Sequence, residues 1–319
     1  MSLEREPTWR LADAVDATVA YADIFDFALT ESEIHRDLVG MFATPAEVAG
    51  AIRNSVRTGV LAREHEYLTF AGREDLWERR ISQADDNRRL WPRARAIGAV
   101  FAILPFVRLV GVTGSLAANN PASDADIDYL LIASPGRLWF VRALAVGVVR
   151  MARQAGIKIC PNYLLTTNSL DLPRHDIYTA HELLQMVPLS GSDVYLTLRA
   201  QNRWADRFLP NRAGQTCSVP PLGFAAASFK SLSERAFGGA VGSRLDRWES
   251  QRKIARFRAV GTEGRFSRDV CEGHFGRHRD YVCREWERRC DRLNLALPSM
   301  TGERVHSYSV AITTSGGIS

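Results

Sequence analysis

Lysine is nearly missing from this chain. Of 41 basic residues only three are lysines, Lys158, Lys230 and Lys253. An arginine excess of that kind reflects GC-rich coding and carries no mechanistic weight. Cysteine is scarce as well. Five scattered cysteines, an odd number, exclude a disulfide framework and indicate a reducing compartment. Long apolar runs are absent. The best stretch, Ala96 to Val107, is bounded by Arg95 and Arg108, and the next, Leu138 to Val149, is interrupted by Arg142. A membrane span needs ~20 apolar residues, so neither qualifies and no membrane partner is expected. The first thirty residues lack a basic start followed by an apolar run, so no secretory signal is expected and the location predicted is cytoplasmic.

What is present is a globular composition. With 46% hydrophobic and 24% charged residues over 319 positions, the chain is too apolar to be disordered and long enough for two or three domains. The net charge of +5 is a mean over unlike parts. Residues 1–80 hold 15 Asp and Glu against 9 Arg, a net of −6. Residues 228–292 hold 14 Arg and 2 Lys against 10 Asp and Glu, a net of +6. The front is acidic and the back is basic.

The first eighty residues read as three helices and a hairpin. Apolar residues recur at helical spacing from Ala12 to Phe27. Thr30 to Glu33 is a capping box that opens a second helix through Ile34 and Leu38. Thr44-Pro45 is an N-cap followed by proline at the first helical position, opening a third helix that Gly59 ends. Val60 to Ala62 and Tyr67 to Phe70 make two short strands about the turn Arg63 to Glu66. Three helices and a two-stranded wing spell a winged helix-turn-helix. That motif usually suggests DNA, but DNA affinity rests on neutralising phosphates, and this unit is net acidic with only Arg53 and Arg57 on its third helix. A packing or protein-contact role is preferred, with DNA reading as the alternative.

Residues 76–100 read as an arginine-rich helix broken or kinked at Pro92. Beyond Phe106 the pattern turns to α/β, with strands at Val107 to Thr113 and Ala125 to Ala133. An amphipathic helix follows from Leu138 to Gln154. A third strand, Ile157 to Thr166, is interrupted by Pro161, which places it at an edge or a bulge. The remainder reads as helical: Asp176 to Met186, Asp193 to Phe208, Ser228 to Val260 and about Asp269 to Asn294. Pro210 to Gly223 is the linker candidate. The predicted domains are 1–80, 81–209 (which includes the connecting helix) and a helical region at 224–299, with a disordered tail at 300–319.

The informative segment runs from Val110 to Ser115, then ten residues, then Asp126-Ile127-Asp128 and an apolar strand. A Gly-Ser turn at a strand end lets backbone approach a ligand and offers N–H groups and a hydroxyl to phosphate oxygens. Asp126 and Asp128, two apart on a strand, point to one face. Such neighbours repel unless a cation lies between them. Mg²⁺, with Mn²⁺ as the alternative, suits hard oxygen ligands and is usually held by one or two carboxylates plus substrate phosphates. Asp124 is also two residues from Asp126. The later pair is preferred because the apolar strand begins directly after Asp128.

In this order, Gly114-Ser115 followed by Asp126-x-Asp128 resembles the nucleotidyltransferase superfamily with the DNA polymerase β-like catalytic fold, over roughly residues 106–166. The resemblance implies an α+β fold, a mixed sheet flanked by helices. It also implies that Gly114 and Ser115 hold a nucleoside triphosphate, and that Asp126 and Asp128 bind the metal. The family often supplies a third carboxylate from a neighbouring strand. The corresponding strand here has no acid, and Asn162 stands where one is expected. Asp171 and Asp176 follow but cannot be placed.

The function expected is transfer of an NMP from an NTP to an unknown acceptor: a small molecule, a protein or an RNA end. A non-enzymatic nucleotide-binding regulator is the alternative, using the winged helix to contact a partner or DNA. Among lesser candidates, Cys271, His274, His278 and Cys283 match no compact zinc knuckle and read as ordinary residues of one helix. His274, Arg277 or His278 is a lesser candidate for contacting phosphates. His175 and His181 read as packing or surface residues, Cys160 as buried in the sheet, and Trp204 with Phe208 as core. The basic C-terminal helices read as a solvated face, with steering of a triphosphate or an acidic acceptor as the alternative.

Overall fold

The computed structural model describes residues 9–122, 124–215, 217, 219–259, 264–273, 275–295 and 297. The chain opens with α1 (Leu11–Asp23), β1 (Leu29–Thr30), α2 (Glu31–Arg36), α3 (Pro45–Arg57), β2 (Leu61–Glu64) and β3 (Tyr67–Phe70). The two capping boxes form. Thr30 Oγ1 accepts from the Glu33 N–H at 3.2 Å, while Glu33 Oε2 accepts from the Thr30 N–H at 2.9 Å. Thr44 and Glu47 repeat the exchange at the start of α3. The strands are three rather than two, in the order β1-β3-β2, all antiparallel. Val15, Val19, Ile34, Leu38, Ile52 and Leu68 form the unit's own core.

The second part begins with α4 (Leu76–Ile103), which runs unbroken through Pro92. Then come β4 (Val107–Thr113), α5 (Gly114–Ala117), β5 (Ile127–Ala133), α6 (Leu138–Gln154), β6 (Ile159–Thr166), α7 (Ile177–Gln185), β7 (Val187–Ser190) and α8 (Ser192–Gln201). The chain continues through short 3₁₀ turns to α9 (Phe224–Phe237), α10 (Ala240–Ala259), β8 (Arg265–Phe266), β9 (Val270–Glu272) and α11 (Phe275–Arg292). The six strands form one mixed sheet in the order β7-β4-β5-β6-β9-β8. β5 and β6 are parallel across the α6 crossover, and the other neighbours are antiparallel.

Side-chain alternation divides this sheet into two faces. Val110, Val112, Ile127, Tyr129 and Leu131 pack beneath α4 and α6 with Phe101 and Trp139. Leu109, Leu130, Ile132 and Leu165 face the other way, onto α7, α8 and α11. The acidic N-terminal unit is joined to that second face. Ala17, Ala20 and Tyr21 of α1 belong to its core, and Trp286 Nε1 donates to the Ala17 carbonyl at 3.0 Å. Arg289 Nε pairs with Asp23 at 3.0 Å, and Asn211 Nδ2 donates to the carbonyls of His35 and Ala43.

Several expectations change. Pro161 does not place β6 at an edge, because β6 lies between β5 and β9. The bulge alternative holds instead: the β5–β6 register slips between Tyr129 and Leu130, opposite Pro161. The proline stands opposite Tyr129, and the residue after it, Asn162, is the one left unpaired. The long helix expected after Ser228 is two helices separated at Gly238-Gly239. The last helix begins at Phe275, not near Asp269, and β9 precedes it. β7 and the β8–β9 hairpin are too short for a periodic signal. Residues 300–319 lie outside the described residues. No helix of the described residues is long and apolar enough to cross a membrane.

Candidate functional site

The site forms where β4 ends and β5 begins. Gly114 leaves β4 with φ +66°, and a Cβ there would fall inside van der Waals distance of Asp128 Oδ2. Only glycine meets both demands: a left-handed backbone and carboxylate contact at the Cα. The Gly-Ser pair then opens α5, a single helical turn.

Asp128 stands on β5 opposite Thr113 and is half-buried. Its Oδ1 accepts from Asn162 Nδ2. Asn162 reaches it through the β6 bulge: Asp128 is paired with Cys160 and Tyr129 with Pro161, but Leu130 is already paired with Tyr163. The skipped residue is Asn162. Asp126 lies just outside the strand and is exposed, and its charge acts on Asp128. Burial first, and the Asp126 charge second, push the Asp128 carboxyl up to about 7, against the opposing Asn162 hydrogen bond. Asp124 is exposed and paired with Lys158 at 3.3 Å, so it is engaged elsewhere.

A third carboxylate is present, on a helix rather than a strand. Glu182 of α7 is half-buried, and the backbone N–H of Gly114 favours its charged form. Burial first, then the charge of Asp128, raise it to about 7. Sequence reading passed over it. The available signal was local: Tyr178, Glu182 and Gln185 recur at i, i+4 and i+7 on an otherwise apolar helix, and all three line one cavity. Asp176, which sequence left unplaced, caps α7 by accepting from the Thr179 N–H at 2.8 Å and pairs with Arg279. Asp171 is exposed.

The cavity measures about 510 Å³. Gly114, Ser115, Asp128, Asn162 and Glu182 form one end of it. The other end is built by the N-terminal unit, through Tyr21, Ala22, Phe25, Phe27 and Leu29. Between them runs the loop after α5, held from several directions. The Asn119 carbonyl accepts from Arg80 Nη1 and Asn87 Nδ2, each at 3.1 Å. Asn120 donates to the Phe25 carbonyl at 3.1 Å and accepts from Gln83.

The remaining candidates separate clearly. His181 is buried and stacked on Tyr21, ring centroids 3.7 Å apart. Burial lowers its imidazole to about 4, and Nδ1 lies 2.9 Å from the Ile177 carbonyl, so the neutral ring donates there. It is a packing residue, as is His175, stacked on Trp204 at 4.5 Å. Trp204 in turn meets Phe208 edge-on. Cys160 is half-buried in the sheet, and burial with the nearby carboxylates pushes its thiol up to about 11. Cys271 lies on β9 rather than on a helix with Cys283, and His278 lines the cavity. His274 and the Arg277 side chain lie outside the described residues. α10 packs on α6, on the face away from Asp128, and none of its described arginine side chains lines the cavity. Among the described residues, no group of three or more His, Cys, Asp or Glu is gathered around a metal position.

Asp128 and Glu182 share the cavity end, with Asp126 two residues from Asp128, and no lysine or arginine among the described residues is hydrogen-bonded to Asp128 or Glu182. That is a place with negative charge to neutralise, beside a turn that exposes backbone and a hydroxyl. Comparison with models of known protein families, with curated proteins and with solved structures returned no match.

Proposed function

We propose that this chain is a nucleotidyltransferase that moves an NMP from an NTP to an acceptor hydroxyl and releases pyrophosphate. The observation that carries this reading is the meeting of Asp128 and Glu182 with the Gly114-Ser115 turn at one end of a cavity, with the Asp126 charge acting on Asp128. A DNA polymerase β-like palm accommodates that arrangement, with the N-terminal unit as a winged-helix-like addition.

The donor set fits Mg²⁺ or Mn²⁺. Both are hard cations satisfied by carboxylate oxygens, and Mg²⁺ usually needs only one or two from protein when phosphates complete its shell. Asp126 and Asp128 would hold the ion, which when bound supplies positive charge to the triphosphate oxygens. Asn162 keeps the Asp128 carboxylate in one orientation through its amide. Gly114 and Ser115 present backbone N–H and hydroxyl to the triphosphate. Glu182 stands at the cavity wall where an acceptor oxygen approaches. It takes the hydroxyl proton as the new O–P bond forms at the α-phosphorus and the bond to the β-phosphate oxygen breaks. A helix-borne carboxylate thus fills the role that β6, with Asn162, does not.

The test is transfer of label from α-labelled NTPs with Mg²⁺ and a cell extract, beside an Asp126→Ala/Asp128→Ala variant. Transfer by the native chain alone supports the reading, and transfer that survives the double substitution overturns it. NTP binding with no transfer to any fraction would favour a nucleotide-responsive regulator instead.

A further inference from the structure

The cavity is unequal at its two ends. The carboxylate end is polar, whereas the end built by the N-terminal unit is walled by Tyr21, Phe25, Phe27 and Leu29, with Ala118 and Ala122 opposite. Positive charge is scarce in it. Arg79 is its one arginine among the described residues, and that guanidinium is already paired with Asp26 at 3.0 Å. Asp37, also on the wall, is tied to Arg36 and Arg212. An end with aromatic walls, and no unpaired arginine or lysine among the described residues that line it, disfavours an anion.

Arginines lie instead on the far side of Glu182. A smaller cleft of about 70 Å³ is lined by Arg174, Arg265 and Arg279 and by the carboxylates of Glu182 and Glu272, with Arg279 already paired with Asp176 and Asp280. Arg174 Nη1 is 3.7 Å from Glu272 and Arg265 Nη1 is 3.8 Å from it, too far for good hydrogen bonds. The two cavities share Thr113, Tyr178 and Glu182. Glu182 therefore stands between the apolar-walled chamber and a cleft that holds arginines.

We infer that the N-terminal unit is the acceptor wall of the site. The part of the chamber next to that unit takes a small, uncharged or cationic hydroxyl compound with an aromatic or aliphatic body, and the phosphate chain stays at the carboxylate end, on the Gly114-Ser115 turn. A volume of about 510 Å³ is that of a small-molecule pocket. Its walls come from α1, the Phe25–Leu29 segment and the loop held by Arg80, so the acidic unit is built into the site and is not a separate reader of nucleic acid. That the occupant is an acceptor presupposes the nucleotidyl transfer proposed above. That it is a small apolar molecule does not.

Two measurements on the full chain test this. The first is fluorescence titration with neutral N-phenyl-1-naphthylamine and with its anionic relative 1-anilinonaphthalene-8-sulfonate. The neutral probe should bind at least tenfold more tightly, Ala122→Trp should weaken it at least tenfold, Phe25→Ala should weaken it severalfold, and Mg-ATP should not displace it. Equal binding of the anion, binding unaffected by both substitutions, or displacement by Mg-ATP overturns the assignment. Ala122 is exposed on a loop, so its replacement does not depend on repacking a core. The second is label transfer from α-labelled ATP into separated extract fractions: a filtrate below about 1 kDa, RNA, and protein. Label in the filtrate supports the acceptor class, while label in RNA or protein overturns it and leaves nucleotidyl transfer standing. Chamber binding as expected with no label in any fraction supports the apolar site and sinks the transfer reading alone.

Discussion

The backbone N–H of Gly114, the first residue after β4, acts on the carboxylate of Glu182 in the middle of α7, and both residues line one cavity. The turn proposed to hold phosphate is thereby influenced by a side chain from a helix 68 residues further along the chain. Glu182 both orients the turn and brings negative charge to within reach of Asp128.

That double attachment makes Glu182→Gln informative. The amide keeps the side chain's size and leaves an oxygen for the Gly114 N–H to act on, so the turn is kept, but the proposed proton acceptor is gone. Transfer should fall by about 10²–10⁴, the usual worth of a positioned base. NTP affinity, read by equilibrium dialysis, should hold or rise as a negative charge leaves. A simple structural prop would show the opposite, with affinity and stability lost together.

Gly114 itself should not tolerate a side chain. At φ +66°, with Asp128 Oδ2 against its Cα, alanine meets strain in the backbone and a clash with the carboxylate. Gly114→Ala should lose on the order of 1–3 kcal/mol in urea unfolding, together with transfer. An unchanged unfolding midpoint would mean that the turn adopts another conformation.

The legible parts of this protein were those set by neighbours in sequence. Thr30 with Glu33 and Thr44 with Glu47 announce two helix starts within four residues each, and both form. Gly114-Ser115 and Asp126-x-Asp128 could be marked as chemistry because a strand flanks each. Glu182 could not be joined to them, since nothing local says that α7 crosses the open end of β4. Pro161 was readable only as a disturbance. That it sits inside the sheet, and that the bulge aims Asn162 at Asp128, depends on β9 pairing with β6 from a hundred residues later. The N-terminal unit's role as a cavity wall was hidden for the same reason. Tyr21 and Phe25 look like core residues of an independent unit until α11 and α7 are seen packed against them.

Arg80 fastens that wall. Its guanidinium pairs with Glu33 at 2.7 Å, donates to the Asn119 carbonyl and lies 4.1 Å from the Phe27 ring centroid, with both charged side chains about one-tenth exposed. Removing one member of a buried pair strands the other charge. Arg80→Met should therefore cost about 3–5 kcal/mol, measurable as a shift in the urea midpoint. Arg80→Met/Glu33→Gln should recover part of it. Hydrogen exchange at residues 118–120 should quicken in the single variant, because the loop carbonyl loses a donor.

Asp16 supplies a pH signature remote from the carboxylate site. It lies buried on α1, 2.9 Å from the Ser55 hydroxyl, and burial, partly offset by that hydrogen bond, raises its carboxyl from an ordinary 3.8 to about 6. The native state thus keeps this proton over a range where the unfolded chain has released it. Below about pH 4 both states are protonated and the group is neutral to stability. Between about pH 4 and 6 the unfolded chain binds fewer protons, so stability falls as pH rises. Above about pH 6 the buried carboxylate carries its full cost, on the order of 3 kcal/mol at 1.36 kcal/mol per unit. Asp16→Asn removes the titration and keeps an acceptor for Ser55. The variant should be the more stable at pH 7, and its advantage should vanish by pH 4 in parallel urea titrations. An advantage independent of pH across that window would mean that the Asp16 carboxyl is not raised, and that some other change at the position explains the gain.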